Sequence, residues 1–315
     1  MGLLAPVVEF LLLEHAFRKI EGDVLFVGRQ TTFLDQHSLK LLLDRHGIIP
    51  AQAGEPEIDT ATWGGRQGRF ITDRYLMKVL GVKNLRFMDV SNYEGADIVC
   101  DLGHPVDESL HGKFDFIYNG GCLDNMFNPA GALANFTRML KPGGRVVCME
   151  SASSYNTPYL MYSPGWFFDY YVMNGFSDCK IYVCSYTTVQ ELLFGPWDLF
   201  HFDWPLNKDG PAPEARHNHL LLLTVAEKGA DSTADVQPIQ HQYRLDPTVI
   251  ARFENNLRKF SESKRPLVNS RNQEATPSVR TLLTRITDRL GLSLYRAQPY
   301  LRRLGKFALG IPRIG

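Results

Sequence analysis

Two aspartates stand directly after short apolar runs: Asp89 in Phe87-Met88-Asp89-Val90-Ser91, and Asp101 in the pair Asp101-Leu102 that follows Ala96–Cys100. A carboxylate at a strand end can accept paired hydrogen bonds from a ribose diol. A second can accept from an adenine amino group while the next apolar residue covers the ring. Gly28, after Val24-Leu25-Phe26-Val27, lets backbone approach such a ligand, but Arg29-Gln30-Thr31 follow where a dinucleotide loop has two further glycines. Either aspartate alone is an ordinary turn cap. With Gly28 beside them at neighbouring strand ends, they point to a nucleoside site.

Other chemistries find less support. His217 and His219 lie two apart with no acidic or cysteine partner at metal-ligand spacing, so no metal site is signalled. There is no Gly-x-Ser-x-Gly elbow and no Gly-x-x-x-x-Gly-Lys loop, which weighs against hydrolase and nucleotide-triphosphatase chemistry. The five cysteines, Cys100, Cys122, Cys148, Cys179 and Cys184, include no Cys-x-x-Cys pair, which argues for a reducing, cytoplasmic setting.

The elements that must position these residues alternate. A helix over Pro6–Lys19 precedes a buried strand at Val24–Val27, and helices at Leu34–His46 and Ile71–Leu80 end near Gly47 and Gly81. Strands are predicted at Leu85–Val90, Ala96–Cys100 and Phe114–Tyr118. A helix carrying Leu133, Phe136 and Leu140 then ends at Lys141-Pro142-Gly143-Gly144 and turns back into a strand over Arg145–Met149. A helix at Gly165–Met173 and strands at Lys180–Tyr186 and His219–Val225 complete the unit near Lys228. Short apolar strands alternating with helices imply an α/β fold with a mainly parallel sheet in three layers, where ligands bind at the carboxyl ends of the strands.

The whole arrangement resembles the class I S-adenosylmethionine-dependent methyltransferases, over roughly Glu21 to Lys228. Val24–Gly28 matches the start of that family's first motif and then departs from its Gly-x-Gly-x-Gly loop. Leu140-Lys141-Pro142-Gly143-Gly144-Arg145 is similar to its Leu-Lys-Pro-Gly-Gly signature, and Phe114 to Gly121 matches its fourth motif. The resemblance implies a Rossmann-like methyltransferase fold and S-adenosyl-L-methionine as cofactor, held by Gly28, Arg29, Asp89, Val90, Asp101, Leu102, Asn119, Gly120 and Gly121. Asp89 takes the ribose place and Asp101 the adenine place.

Asn92 to Leu102 and Met161 to Phe168 look like a bacterial subgroup associated with surface polysaccharide or glycolipid biosynthesis. That subgroup has Gly-Gly-x-Leu-Glu-His where this chain reads Gly120-Gly121-Cys122-Leu123-Asp124-Asn125. An amide cannot take a proton, so Asp124 is the candidate base for a hydroxyl acceptor and Asn125 its catalytic neighbour. As a bland alternative, Asp124 caps a first helical turn. Tyr155, Tyr159 and Tyr162 offer rings to a small-molecule or glycan acceptor, or simply pack. Two other functions stay open: a degenerate methyltransferase fold kept as a binding scaffold, and a sugar-nucleotide or NAD enzyme on a Rossmann-like sheet.

Composition bounds the rest. Lys+Arg and Asp+Glu both total 34 in 315 residues, with 44% hydrophobic content, so the chain reads as globular and without the net charge of a general nucleic-acid binder. The organisation expected is an N-terminal helix (1–20), a methyltransferase domain (21–228), a linker (229–246) and a basic helical tail (247–315). Between Ala251 and Gly315 stand 14 Lys and Arg against 4 Asp and Glu, an excess of 10 positive charges. Apolar stripes at Val279, Leu282, Leu283, Ile286 and Leu290, and at Tyr300, Leu301, Leu304 and Phe307, suggest docking on an anionic membrane surface at its inner face. No signal peptide is expected, because Glu9 and Glu14 interrupt the apolar start and no basic residue precedes it.

Overall fold

A computed structural model describes residues 2–52, 54–153, 158–202, 219–240 and 243–268. The strands are β1 (Asp23–Val27), β2 (Asn84–Asp89), β3 (Ile98–Val99), β4 (Phe114–Gly120), β5 (Leu140–Ser151), β6 (Asp178–Tyr186), β7 (Asp198–His201) and β8 (His219–Glu227). Among the described residues they form one eight-stranded sheet in the order β3-β2-β1-β4-β5-β8-β6-β7. The first five pair parallel, whereas β8 runs antiparallel between β5 and β6. The central strands are buried on both faces and accordingly read as unbroken apolar runs.

Alternate residues feed two cores. Val24 and Phe26 face a layer built by α1 (Ala5–Phe17), α2 (Gln36–Arg45) and α3 (Asp73–Val79). Leu25 and Val27 face α4 (Pro129–Met139), α5 (Pro164–Met173) and α7 (Pro247–Glu262). Asp35 and Thr72 cap α2 and α3 by accepting from Ser38 and Tyr75 backbone N–H groups. The fold is therefore the expected three-layer α/β arrangement.

Several local expectations change. The predicted strand over Ala96–Cys100 shrinks to β3, because it lies at the sheet edge with Val99 60% exposed. The Lys-Pro-Gly-Gly turn lies within β5: Leu140 pairs with Phe114 and Arg145 with Phe116, and Gly143 takes φ +76° to carry the intervening residues. A short helix α6 (Val189–Phe194) and the edge strand β7 form where the sequence pattern is silent.

The stretch expected as a linker is a strap. The Asn174 amide donates to Val236 O (2.9 Å), its Oδ1 accepts from Val236 N (3.1 Å), and Arg244 pairs with buried Asp169 (2.7 Å). Beyond the strap, Phe253 and Phe260 of α7 close on Phe168. Of the basic tail, residues 269–315 and both apolar stripes lie outside the described residues, as do Tyr155 and His217. No helix among the described residues is long and apolar enough to cross a membrane.

At the amino ends of the strands a charge network is buried. Arg265 pairs with Glu14, with Asp178 (2.5 Å) and with Glu227 (3.4 Å); Arg145 also pairs with Glu14, and Lys180 with Asp178 (2.9 Å).

Candidate active site

The chain leaves β1 toward β2 and β3 on one side and leaves β4 toward β5 on the other, so a crevice opens between the carboxyl ends of β1 and β4. Gly28 enters it with φ +73°, a conformation costly for other residues, and donates its N–H to Met88 O (2.7 Å). A Cβ there would lie 3.6 Å from Asp89 Oδ2, so the carboxylate borders open space against the glycine. Asp89 Oδ1 accepts only a long bond from Ser91 N (3.3 Å), and Val90 beside it is 68% exposed.

Asp101 follows β3 and is exposed. It accepts from Gly103 N (2.9 Å) and meets His104 Nδ1 (3.1 Å). The Gly103 N–H foremost, then His104, holds its carboxyl below the usual aspartate range. Leu102 departs from expectation: it turns into the α4 and α5 core at 3% exposure, so the apolar surface left to flank an adenine ring is Val90.

Arg29 also departs from the cofactor role. Its guanidinium grips buried Asp73 through Nε (3.0 Å) and Nη2 (2.8 Å), and lies 4.6 Å from the Phe87 ring centroid. The same carboxylate accepts from Gln30 N (2.8 Å). This clamp fixes the loop after β1 in the absence of the further glycines. It leaves the Gln30 side chain 4% exposed, with Nε2 donating to Val27 O (3.0 Å) and Gly28 O (3.4 Å), and Oε1 buried without a partner.

Across the crevice, a Cβ on Gly120 would sit 2.4 Å from Gln30 Oε1, so only glycine fits. Gly121 turns the chain out at φ +85°. Asn119 is fully buried: its Nδ2 donates to Glu150 Oε1 (2.5 Å), and its Oδ1 accepts from Cys122 N (3.2 Å). Glu150, at the carboxyl end of β5, also accepts from Leu123 N (3.2 Å) and Asp124 N (3.0 Å). Burial foremost, and then the Asp124 charge, pushes the Glu150 carboxyl well above its ordinary value.

Asp124 itself is 2% exposed. Its Oδ1 accepts from Asn125 Nδ2 (2.8 Å) and its Oδ2 from Ser151 N (3.3 Å), and burial raises its pKa as a base poised toward neutrality requires. Asn125 is exposed and ties Gly121 O (3.0 Å) to Asp124. Tyr159 N–H donates to Asp124 O (2.8 Å), and its exposed ring meets exposed Phe127 at 5.9 Å. Tyr162 is buried and donates to Leu123 O (2.8 Å).

The crevice thus gathers Gly28, Asp89, Val90, Asn119, Gly120 and Gly121, with Asp124 a turn beyond. It keeps Asp101 at its rim and turns Arg29 and Leu102 elsewhere. Sequence reasoning missed Glu150 and Gln30. The signal for Glu150 was a lone carboxylate closing the apolar run Val146–Met149.

Residues 64–185 match the sequence profile of a family described as a methyltransferase domain. The chain carries a methyltransferase domain. The matched span runs from the loop before α3 to the end of β6, and the sheet around it has the Rossmann-like methyltransferase fold; S-adenosyl-L-methionine is the methyl donor of this domain class. Among solved structures, a Thermotoga maritima S-adenosylmethionine-dependent methyltransferase is 14% identical, covering 71% of this chain and 90% of its own, at TM-score 0.34. A Haemonchus contortus phosphoethanolamine N-methyltransferase, solved with S-adenosyl-L-methionine, is 13% identical over 70% and 52%, at 0.39. A Burkholderia thailandensis 1,6-didemethyltoxoflavin N1-methyltransferase, solved with S-adenosylhomocysteine, is 13% identical over 70% and 76%, at 0.32. The chain spans about half of the Haemonchus structure. A search of curated proteins returns no match.

Proposed function

We propose that the methyltransferase domain binds S-adenosyl-L-methionine in the crevice between β1 and β4 and methylates a hydroxyl acceptor. The observation that carries this reading is the convergence of Gly28, Asp89 and Asn119-Gly120-Gly121 at one switch point, with the buried Asp124 a turn beyond. When bound, the cofactor supplies an electrophilic methyl group.

Asp89 accepts from the ribose diol, Asp101 from the adenine amino group, and Val90 flanks the ring. Gly28, Gly120 and Gly121 allow close backbone approach. The unpartnered Gln30 acceptor and the glycine that its Oε1 requires at 120 fit a polar, cationic ligand in this crevice. Asp124 takes the proton from the acceptor hydroxyl, and Asn125 holds its Oδ1 in place.

The acceptor class rests on weaker supports. The exposed Phe127 and Tyr159 rings beside Asp124 offer a flat apolar face suited to a sugar ring, in keeping with the surface-polysaccharide or glycolipid subgroup that the sequence resembles. We also propose a cytoplasmic enzyme that meets an anionic membrane surface through its basic tail. Each exposed basic residue near such a surface is worth about 1 kcal/mol, so salt-sensitive sedimentation with anionic vesicles is the expected outcome. A second reading, a binding scaffold, is favoured by one observation: both Asp124 oxygens already hold amide donors.

The test is single-turnover methylation across a glycan and small-molecule hydroxyl screen at saturating cofactor. With an acceptor in hand, Asp124→Asn is expected to slow methyl transfer about a hundred- to ten-thousandfold while leaving cofactor affinity unchanged. The wild-type rate is expected to fall on acidification through a pKa above the ordinary aspartate value of 3.8, and the variant to lose that limb. An unchanged rate in Asp124→Asn removes the base assignment, and no product from any acceptor favours the scaffold.

A further inference from the structure

We infer that Gln30 receives the amino-acid end of the methyl donor, its Oε1 accepting a hydrogen bond from the donor's α-ammonium group. This rests on the binding reading above and adds a side chain to a loop whose further glycines are missing.

The orientation of the amide is set by its surroundings. Nε2 faces two carbonyl oxygens, Val27 O at 3.0 Å and Gly28 O at 3.4 Å, so the nitrogen must lie on that side and Oε1 on the other. Oε1 is thereby an obligate acceptor, buried and unpartnered in a residue 4% exposed. A buried acceptor left unmatched is costly, and most such groups in proteins find a donor. This one points at Gly120, whose missing side chain leaves the approach from the carboxyl end of β4 open.

The missing partner must be a donor, and the local charge selects its kind. Asp89 borders Gly28 in the same crevice, and Asp124 and Glu150 lie beyond Gly121 on the β4 side. Carboxylates on both sides favour a cation, and an acceptor oxygen repels a carboxylate. Of the charged groups on S-adenosyl-L-methionine or S-adenosylhomocysteine, the α-ammonium alone is both cationic and an N–H donor. The Arg29–Asp73 pair holds the loop rigid, because Asp73 accepts from Gln30 N (2.8 Å) as well as from the guanidinium, so the acceptor is in place before the ligand arrives. Tyr118 offers a competing account: its buried hydroxyl is also unpartnered, and its ring flanks the same glycine, so a single water could join the two.

Titration calorimetry with S-adenosylhomocysteine and its desamino analogue, on wild type and on Gln30→Met, decides between these. A hydrogen bond to a charged group corresponds to about a ten- to hundredfold change in affinity. Wild type is expected to prefer S-adenosylhomocysteine to the desamino analogue by that factor, and Gln30→Met to bind the two equally, near the affinity of the weaker. Equal binding of both ligands by wild type overturns the proposal even if the variant fails to fold. A wild-type preference that survives intact in Gln30→Met also overturns it, placing the ammonium elsewhere and leaving Gln30 to a buried water. Wild type that binds neither ligand defeats the parent reading instead.

Discussion

The two ends of the sheet bury charge in opposite ways. At the amino end, Glu14 and Asp178 are matched by Arg145, Arg265 and Lys180 through direct ion pairs, and Arg265 is 6% exposed. At the carboxyl end, Asn119 and the amides of Leu123 and Asp124 serve Glu150, Asn125 and Ser151 serve Asp124, and Gln30 Oε1 has no partner. The first cluster satisfies its charges internally and closes the fold by tying the segment after α7 to α1, β5 and β6. The second leaves acceptors in excess of donors, as a site for a cationic ligand should. Buried charge in a protein therefore marks a site only where the protein itself does not complete it.

Removing a charge from the closed end gives the largest stability effect. Arg265→Met leaves Glu14 and Asp178 short of a partner and is expected to lower unfolding stability by about 3–5 kcal/mol in urea titration, with S-adenosylhomocysteine affinity unchanged. A loss below about 1 kcal/mol breaks the contrast. At the open end, Glu150→Gln turns an amide donor toward backbone N–H groups and is expected to cost about 1–3 kcal/mol.

The pH dependence sharpens the comparison further. Because the folded state raises the Glu150 pKa, it holds a proton that the unfolded chain has released. Wild-type stability is then greatest below the ordinary glutamate value of 4.5 and falls as pH rises above it. Glu150→Gln is expected to flatten that slope in melts across pH 4 to about 8. A slope shared by both proteins assigns the dependence to other groups.

The parts of the fold legible in the sequence were those with local causes. Alternation of buried runs with capped helices located β1, β2, β4 and α2 to α5, because strand burial and Asp35 or Thr72 caps act within a few residues. Arg29 misled for the opposite reason: its partner Asp73 stands 44 residues away, and no local pattern announces the pair. Leu102 reads as a possible ring cover, yet the nearby α4 core claims it. Gln30 is polar in a loop, an ordinary position, and its unmatched oxygen emerges only when β4 is set beside β1. Among the site residues, Asp89 was the most legible, since position after a strand determines where its carboxylate lies.

The central claim is that the crevice between β1 and β4 is an S-adenosyl-L-methionine site built on Asp89. Titration calorimetry of the full chain with S-adenosylhomocysteine, with NAD as control, on wild type and Asp89→Ala tests it most directly. Binding of S-adenosylhomocysteine but not NAD is predicted, weakened about ten- to hundredfold by Asp89→Ala, with a smaller loss in Asp101→Ala because that carboxylate stands exposed at the rim. Affinity unchanged in Asp89→Ala, or NAD bound in preference to S-adenosylhomocysteine, contradicts it.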